Sequence, residues 1–412
     1  MKVCGIVAEY NPLHNGHLYH LLESKRISEA DYTVVVMGGN FMQRGTPAIM
    51  DKYERVRAAL SCGADLVIEL PSYYATGSAE YFAMGAISLL NRLGVVSSLC
   101  FGSECGNIDL LKRIAHIIVE ESAAYQNCLQ SYLRCGNTYP AARSAAILQV
   151  CPELSAFISV LNSPNNILGI EYIKSIIRQN SSIVPLTMKR FGSDYHDIRL
   201  GINQSSASAL RQALWTGISL GELQNQMPQA SFQILDTYLQ NNELLHLNDF
   251  SEVLFYKLLS EHHRGFEDYV DVSPALSDRI CRNLYKFDGY EAFCELLKTK
   301  EITYTRISRC LYHILLNMHK DELELYMNKL GITPYARVLG FRKEAAPLLS
   351  EIHKHTQIPL ITKLADAHTL LSEQAYDMLK KEIMVNDIYS SIRASKAKVP
   401  MFNEFSTPIV IV

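Results

Sequence analysis

The sequence has no C-x-x-C pair among its ten cysteines, although that spacing is typical of zinc sites and of dithiol redox centres. The cysteines lie mainly in apolar surroundings, which favours buried and reduced thiols. Thiols stay reduced in the cytosol, whereas secreted proteins tend to form disulfide bonds. The cysteines therefore predict a cytoplasmic protein without a thiolate metal centre.

Long hydrophobic runs are also absent. No segment reaches the ~18 apolar residues that a membrane-spanning helix needs. The apolar run at residues 3–8 is too short for a signal sequence and is followed at once by Glu9, Asn11 and Pro12, so it predicts a first β-strand. We expect neither secretion nor membrane insertion. The net charge of −3 does not indicate nucleic-acid binding by the chain as a whole, so any such binding would depend on a local basic patch.

The chain is long enough for two domains, because a domain typically has ~150 residues. To about residue 200, short β-branched runs alternate with helical periodicity, as in parallel βαβ units. We predict strands at residues 3–8, 32–37, 66–70, 98–101 and 183–188, and helices at 16–25, 52–62 and 79–93. The expected fold is an α/β, Rossmann-like parallel sheet, in which ligands bind beyond the carboxyl ends of the strands.

Helical patterns dominate the rest of the sequence. Residues 107–160 predict a helical insertion within a first domain that spans residues 1–215. The second domain, residues 216–412, is predicted to be mainly helical, with helices at 251–259, 277–287, 304–317 and 371–384. The sequence has no internal repeat or long linker, so we expect the two parts to pack against each other.

The most informative motif is EYNPLHNGH at residues 9–17, between the first predicted strand and helix. A helix N-terminus offers backbone N–H groups and a positive dipole end to a phosphate. Gly16 would let the backbone approach that ligand, and His14 and His17 could donate hydrogen bonds to phosphoryl oxygens. Two alternatives stay open. His14, His17 and His20 could bind a metal, although their acidic or cysteine partners are not obvious, or the motif could only start a helix.

Other motifs in the first domain are weaker. Residues 205–211, SSASALR, suit a second phosphate clamp or a serine cap of a helix. Residues 162–172 contain paired asparagines, which either cap a helix or present amides to a ligand. Lys189 and Arg190 follow the fifth predicted strand, and YHD at 195–197 comes after them. The basic pair could contact a ligand at the strand end or could be a solvated surface pair.

Several motifs occur in an order that a known family shares. Residues 9–17 are followed by GNFMQRG at 39–45, FGSE at 101–104, SPNNILG at 163–169 and YHD at 195–197. With these motifs the chain resembles the bacterial tRNA(Met) cytidine acetate ligase family, over most of its length and most densely in the first 211 residues. The implied fold is an α/β sheet of the HIGH-motif nucleotidyltransferase type with a helical C-terminal domain. One departure is SASALR at 206–211, where the family more often has Ser-Ala-Thr-Ser-Ile-Arg, so one hydroxyl is lost.

The resemblance implies a ligase that acts in two steps. Acetate would attack the α-phosphate of ATP to give acetyl-adenylate, and the acetyl group would then pass to N4 of the wobble cytidine in elongator tRNA(Met), forming N4-acetylcytidine. The family's ATP contacts carry over to residues 7–20, Gly102, Asn165 and Arg190. With two serines of the second phosphate motif added, the expected ATP-binding residues are Val7, Ala8, Glu9, Tyr10, Asn11, Pro12, Leu13, His14, Asn15, Gly16, His17, Leu18, Tyr19, His20, Gly102, Asn165, Arg190, Ser206 and Ser208.

The first step requires little covalent chemistry from the protein, because nucleotidyl transfer depends mainly on alignment of the reactants and on neutralisation of phosphate charge. We therefore expect His14, His17 and Arg211 to be the catalytic residues. Mg²⁺ is expected to bridge the phosphates, although the sequence identifies no protein ligand for it.

A local excess of positive charge lies in the second domain. Residues 300–363 contain ten lysines and arginines against six acidic residues. Such a patch would bind RNA phosphates in a salt-dependent manner, although an ordinary solvated helix surface is the alternative. The expected tRNA-binding residues are Arg306, Arg309, Arg337, Arg342 and Lys343. A second group on the catalytic side could extend the patch or merely cover a helix: Lys52, Arg55 and Arg57.

Two other functions fit part of the sequence. A small-molecule adenylyltransferase would share the histidine motif, but it would have no need of the long helical half. A non-catalytic tRNA-binding protein with a nucleotide-binding fold would not need His14, His17 and Arg211 to be intact. Binding of ATP separates this last alternative from the two enzymes.

Overall fold

An eight-stranded sheet lies at the centre of the computed structural model, which describes residues 1–190 and 205–412. The strands are β1 (Val3–Ala8), β2 (Tyr32–Gly38), β3 (Leu66–Leu70), β4 (Ser98–Ser103), β5 (Val184–Lys189), β6 (Ala336–Phe341), β7 (Leu360–Ile361) and β8 (Val410–Ile411). Their order is β5-β4-β1-β2-β3-β6-β7, and β8 pairs with β6. The first five strands are parallel, which confirms the predicted α/β fold. The motif predicted at 195–197 lies outside the described residues.

Helices of the first half cover both faces of this sheet and occupy the segment predicted as an insertion. They are α1 (Asn15–Ser28), α2 (Lys52–Ser61), α3 (Ser72–Ala75), α4 (Ala79–Arg92), α5 (Ile108–Glu120), α6 (Ala123–Arg134), α7 (Tyr139–Val150), α8 (Ile158–Asn162), α9 (Pro164–Arg178) and α10 (Ala207–Trp215). That residues 107–160 are an insertion stays a prediction. The segment contains α5, α6, α7 and the start of α8. It begins where Asn107 caps α5 by accepting a hydrogen bond from the N–H of Leu110 at 3.0 Å.

The second half is mainly helical, as the sequence predicts. Its helices are α11 (Gln229–Asn241), α12 (Ser251–Glu261), α13 (Pro274–Asn283), α14 (Tyr290–Leu297), α15 (Tyr304–Leu315), α16 (Lys320–Asn328), α17 (Ala346–His355), α18 (Ala367–Leu370) and α19 (Glu373–Ala397). Within the two described ranges, none of the helices is both long enough and apolar enough to cross a membrane.

The sheet does not stop at the predicted domain boundary near residue 215. Strand β6 comes from the second half and pairs antiparallel with β3, with Phe341 opposite Leu66 and Arg337 opposite Glu69. Strands β7 and β8 then pair with β6. The boundary at 215 stays a prediction, but three strands of the second half extend the sheet of the first. The sequence did not predict them. Strands β7 and β8 have only two residues each, and β6, although as long as β1, lies among segments with helical patterns.

A buried network of four charged residues binds the second half to the first. Lys52 Nζ lies 2.7 Å from Glu69 Oε1 and 3.1 Å from Glu404 Oε1. Arg337 Nη1 lies 3.0 Å from Glu69 Oε2, and its Nη2 pairs with Glu404. Burial alone would raise the pKa of Glu404, but Lys52 and Arg337 outweigh it and lower that pKa to about 2. Two cations predicted to contact RNA, Arg337 and Lys52, are therefore occupied inside the protein.

Replacement of Arg337 by methionine should destabilise the protein, because Glu69 and Glu404 would then share only Lys52. Loss of one partner of a buried ion pair typically costs about 3–5 kcal/mol. Urea denaturation measures this loss. The control is Arg342→Met: Arg342 is more exposed and lies 3.9 Å from Asp65, so its loss should cost less than about 1 kcal/mol. Equal stabilities of the two variants would contradict a stabilising network.

Helix α19 supports the loops at the carboxyl edge of the sheet. The Glu382 carboxylate accepts hydrogen bonds from the Ser72 N–H and Ser72 Oγ, both at 2.7 Å, at the start of α3. Asn386 bonds to Asn40, and Tyr389 Oη donates to the Ala48 carbonyl at 2.9 Å. The loop between β2 and α2 is therefore held by a helix from the other end of the chain.

The stability of the protein should depend on the protonation of Glu382. Burial, with the nearby Glu69, raises the pKa of Glu382 from 4.5 to about 7, so the folded protein takes up this proton more readily than the unfolded chain. The contribution is full below pH 4.5 and is lost as the pH rises through 7. Between pH 5 and 8, the free energy of unfolding should fall by on the order of 1–3 kcal/mol in the wild type relative to Glu382→Gln.

Denaturation at a series of pH values tests this dependence. The control is Glu373→Gln, at the exposed start of the same helix, which should keep the slope of the wild type. If Glu382→Gln also kept that slope, Glu382 would not be the titrating group.

Candidate active site

A cavity of about 440 Å³ opens at the carboxyl ends of β1, β4 and β5. Its walls are the segment from β1 into α1, the loop after β2, and the first turns of α9 and α10. This is the edge at which parallel α/β sheets bind ligands, and the volume is in the range of small-molecule sites. The cavity is therefore the candidate active site.

Most of the predicted ATP-binding residues line this cavity. They are Val7, Ala8, Glu9, Tyr10, Asn11, His14, Gly16, His17, Tyr19, His20, Gly102, Asn165, Arg190, Ser206 and Ser208, and the predicted catalytic Arg211 lines it as well. Pro12, Leu13, Asn15 and Leu18 do not. Leu13 is fully buried in a hydrophobic cluster against which Leu18 also packs, and Asn15 Nδ2 donates to the carbonyl of Asn225 at 2.7 Å. The structure therefore places these side chains in the scaffold around the motif.

The two histidines of the motif cap helix α1. His14 Nδ1 accepts a hydrogen bond from the Gly16 N–H at 3.0 Å, and His17 Nδ1 accepts one from the His14 N–H at 3.4 Å. The rings stack with centroids 3.8 Å apart. A Cβ atom at position 16 would lie 2.9 Å from the His14 ring, so glycine is needed there. Gly16 lines the cavity, and its N–H is used within the protein.

These hydrogen bonds set which ring nitrogen carries the proton. Because Nδ1 accepts in both rings, Nε2 carries the hydrogen of each neutral imidazole. Burial lowers the pKa of His14 to about 3, and Arg190 and Arg211 act in the same direction. Burial, His14 and Arg190 lower the pKa of His17 well below its ordinary value. Both rings are therefore neutral near pH 7, each with one N–H to donate.

His20 lies one turn further along α1 and faces the same cavity. Its Nε2 donates to the carbonyl of Cys100 at 3.2 Å, and burial lowers its pKa to about 4. Among the residues that the structure describes, no three His, Cys, Asp or Glu side chains form a group that could hold a metal ion. His17 and His20 lie on α1, and His14 caps it.

The SSASALR motif caps a helix and also lines the cavity, while its role as a phosphate clamp stays a prediction. Ser206 caps α10, since its Oγ accepts a hydrogen bond from the Ala209 N–H at 3.1 Å. From the next turn, Arg211 Nη1 donates to the carbonyl of Asn11 at 2.6 Å, and Nη2 donates to Ser208 Oγ at 3.1 Å. The arginine therefore ties this motif to the histidine motif 200 residues earlier, and both contribute to one cavity.

Paired asparagines at the start of α9 are held by an acidic residue that follows β4. The Glu104 carboxylate accepts hydrogen bonds from the N–H groups of Asn165 and Asn166, at 3.1 and 2.8 Å, and from Asn165 Nδ2 at 2.7 Å. Asn165 Oδ1 in turn accepts from Arg190 Nη1 at 3.2 Å. Glu104 thus fills the helix N-terminus and orients an amide and a guanidinium that both line the cavity.

A fully buried arginine fixes the ends of the two central strands. Arg55 Nη1 donates to the carbonyls of Glu9 at 2.7 Å and Gly38 at 3.1 Å, and Nη2 bonds to Gly39. Buried carbonyl groups without a donor are costly, so this guanidinium stabilises the turn that follows each strand. Arg55 is therefore a structural residue and not part of a surface patch.

One carboxylate, that of Glu9, is present among the described residues that line the cavity. Its Oε1 accepts a hydrogen bond from the Gln43 N–H at 2.7 Å. Burial raises the pKa of Glu9, although Arg211, Arg55 and Arg44 act in the opposite direction. The side chain therefore lies between the histidine motif and the loop after β2.

Part of the cavity wall consists of residues that were not predicted from the sequence. The additional lining residues are Met42, Gln43, Arg44, Thr46, Phe82, Phe101, Leu168, Tyr172, Met188 and Ala207. The first three belong to GNFMQRG at 39–45, a motif that served above only to indicate the resemblance to a known family. Its position after β2 was a usable signal, because loops at that edge face the site. The apolar residues have no such signal, since ordinary core residues look the same in sequence.

The predicted RNA contacts lie at two ends of the sheet. Arg306 and Arg309 pair with Asp271 at 3.4 and 3.0 Å, on the helix that packs against the turn at Gly45 beside the cavity. Gly45 has φ +71°, and a Cβ atom there would lie 2.6 Å from the Arg309 nitrogen. Arg342 and Lys343 follow the end of β6, which pairs with the first residue of β3 at the opposite edge. The five residues do not form one patch.

The fold and this cavity define a nucleotidyl transferase of the HIGH type. A family model described as HIGH Nucleotidyl Transferase matches residues 1–402. The structure also superposes on Thermotoga maritima TmcAL in its apo form, with a TM-score of 0.94 at 31% identity and complete coverage of both chains. Thermotoga maritima TmcAL bound with alpha-thio ATP matches with a TM-score of 0.92 at 31% identity, over 100% of this chain and 99% of that one.

Curated relatives narrow this class to one family. The tRNA(Met) cytidine acetate ligase of Acetivibrio thermocellus is 41% identical over 418 residues, with all of both chains covered. That of Clostridium perfringens is 39% identical over 402 residues, with 96% of each chain covered. The chain belongs to the tRNA(Met) cytidine acetate ligase family, as its motifs predicted.

Proposed function

We propose that this protein activates acetate with ATP and joins the acetyl group to N4 of the wobble cytidine in elongator tRNA(Met). The convergence of His14, His17 and Arg211 on one cavity at the strand ends carries this proposal. The family's curated members are named for the same ligation. A solved relative bound with alpha-thio ATP supports ATP as the nucleotide.

In the first step, an acetate oxygen attacks the α-phosphorus of ATP and the bond to pyrophosphate breaks. The Nε2–H groups of His14 and His17 donate to phosphoryl oxygens on which charge develops, and Arg190 and Arg211 neutralise that charge. Alignment of the two reactants supplies much of the rate. All four side chains line the cavity.

We propose that Mg²⁺ enters with ATP. Glu9 is the one carboxylate among the described lining residues, so phosphate oxygens and water would supply most ligands of the ion. Mg²⁺ would neutralise phosphate charge, which the arginines already do in part. A cytoplasmic location fits this function and is supported by the ten free thiols.

Exchange of labelled pyrophosphate into ATP tests the first step. The purified protein should catalyse this exchange only with acetate and without tRNA. His17→Ala should lower the rate by ~10²-fold or more, because a donor to the transition state is lost. The control is His116→Ala on the exposed face of α5, which should leave the rate unchanged. Absence of exchange in the wild type would contradict the acetyl-adenylate route and favour a small-molecule adenylyltransferase.

Binding of tRNA should depend on the cations beside the cavity. The target cytidine must reach the carboxyl edge of the sheet, where α15 carries Arg306. Arg306→Ala should reduce the slope of log affinity against log salt by about 1, as expected for one lost phosphate contact. Lys343→Ala, at the opposite edge, should change the slope less, and Lys354→Ala on exposed α17 serves as the control.

Filter binding of elongator tRNA(Met) at several salt concentrations measures these slopes. A larger change in Lys343→Ala than in Arg306→Ala would show that the tRNA crosses the amino edge of the sheet instead.

A further inference from the structure

Glu9 lines the cavity, and its carboxylate has no assigned role in the chemistry of the first step. It follows the last residue of β1, and its carbonyl is held by Arg55 Nη1 at 2.7 Å. Its Oε1 accepts the Gln43 N–H at 2.7 Å. Main chain and side chain are both fixed, so the carboxylate has one orientation toward the cavity that it lines.

The other oxygen of this carboxylate, Oε2, accepts no hydrogen bond from any residue in 1–190 or 205–412. Three charged side chains act on Glu9: Arg211 from α10, Arg55 from α2 and Arg44 from the loop after β2. The adjacent histidines are neutral. The arginines act on Glu9 through their charge and not through a side-chain hydrogen bond. Among the described residues, the second carboxylate oxygen is therefore left as an acceptor at the cavity.

The second step of the proposed reaction needs such an acceptor. The exocyclic amine of cytosine is a weak nucleophile, because its lone pair is delocalised into the ring. Attack on the acetyl carbonyl makes N4 positive, and the product amide forms only when N4 loses a proton. A positioned carboxylate that accepts this proton typically accelerates such a step by ~10²–10⁴-fold.

We propose that Glu9 is the general base of acetyl transfer and that its Oε2 accepts a hydrogen bond from the cytidine N4 amine. This inference rests on the proposed function. The new bond joins N4 to the acetyl carbon, while the bond from that carbon to the AMP phosphate oxygen breaks. AMP leaves with the electron pair, the N4 proton moves to Glu9 Oε2, and water then takes up the proton.

Burial gives this carboxyl a suitable acidity. The raised pKa of Glu9 brings its conjugate acid closer to neutrality, where a base can both be ionised and retain a proton. The transfer rate should therefore fall as the pH drops through the pKa of Glu9. Acetate activation has no need of this base, because acetate is already ionised and pyrophosphate leaves without a proton.

The two half-reactions separate this role from others. Glu9→Gln keeps the shape of the side chain and removes the base. Acetate-dependent pyrophosphate exchange by the same variant shows that it is folded and reports any contribution of Glu9 to ATP binding, and this rate should fall much less than the rate of acetyl transfer. The rate of single-turnover transfer from synthetic acetyl-adenylate to tRNA(Met) should fall by ~10²-fold or more. It should also lose the acidic limb of its pH–rate profile, which is the fall in rate at low pH. Glu9→Asp, with a shorter carboxylate, should transfer more slowly than the wild type but keep that limb.

Glu23→Gln, on the outer face of α1 where Glu23 pairs with Arg26, serves as the matched control and should leave both half-reactions unchanged. Intact transfer in Glu9→Gln, with the acidic limb retained, would overturn the inference. Loss of both half-reactions together would also overturn it, because Glu9 would then hold ATP, acetate or Mg²⁺. Failure of exchange in the wild type would instead reject the proposed function.

Discussion

The active-site edge of this protein depends on one guanidinium that lies inside the structure. Parallel strands leave backbone carbonyls beyond their last ladder pair, and at β1 and β2 these groups are buried against each other. Arg55 satisfies the carbonyls of Glu9, Gly38 and Gly39 at once, and its Nε also donates to the Met50 carbonyl at 3.3 Å. A planar group with five N–H donors is the side chain suited to this task. Burial lowers the pKa of Arg55, but a guanidinium remains protonated.

The second half of the chain completes the same edge. The Asn40 amide oxygen accepts the Lys52 N–H at 2.7 Å, while Lys52 Nζ joins Glu69 to Glu404 near the C-terminus. These contacts continue from the loop after β2, through the start of α2, into the segment that follows α19. A cavity wall formed by Met42, Gln43 and Arg44 is therefore braced by residues more than 300 positions away. The helical half therefore acts as a structural support for the loop after β2.

Sequence alone predicted the features that depend on local pattern. The five parallel strands, the helices of residues 107–160 and the histidine motif each follow from periodicity or from a contiguous run of residues. Contacts between distant segments did not follow. From the sequence, Arg337 and Arg55 cannot be distinguished from surface cations. The pairing of β6 with β3 shows that Arg337 is buried, and the hydrogen bond to the Gly38 carbonyl shows the same for Arg55. The hydrogen bond from the Gly16 N–H to the His14 ring was likewise not evident from the sequence.

In the cavity, neutral histidines supply oriented hydrogen-bond donors and arginines supply the positive charge. Burial and the neighbouring arginines keep His14 and His17 neutral, so each supplies one oriented N–H without bringing a desolvated charge into the site. Positive charge comes from Arg44, Arg190 and Arg211, which line the cavity. Each neutral ring already carries one N–H, so a hydrogen bond donated from it needs no proton taken from solution beforehand.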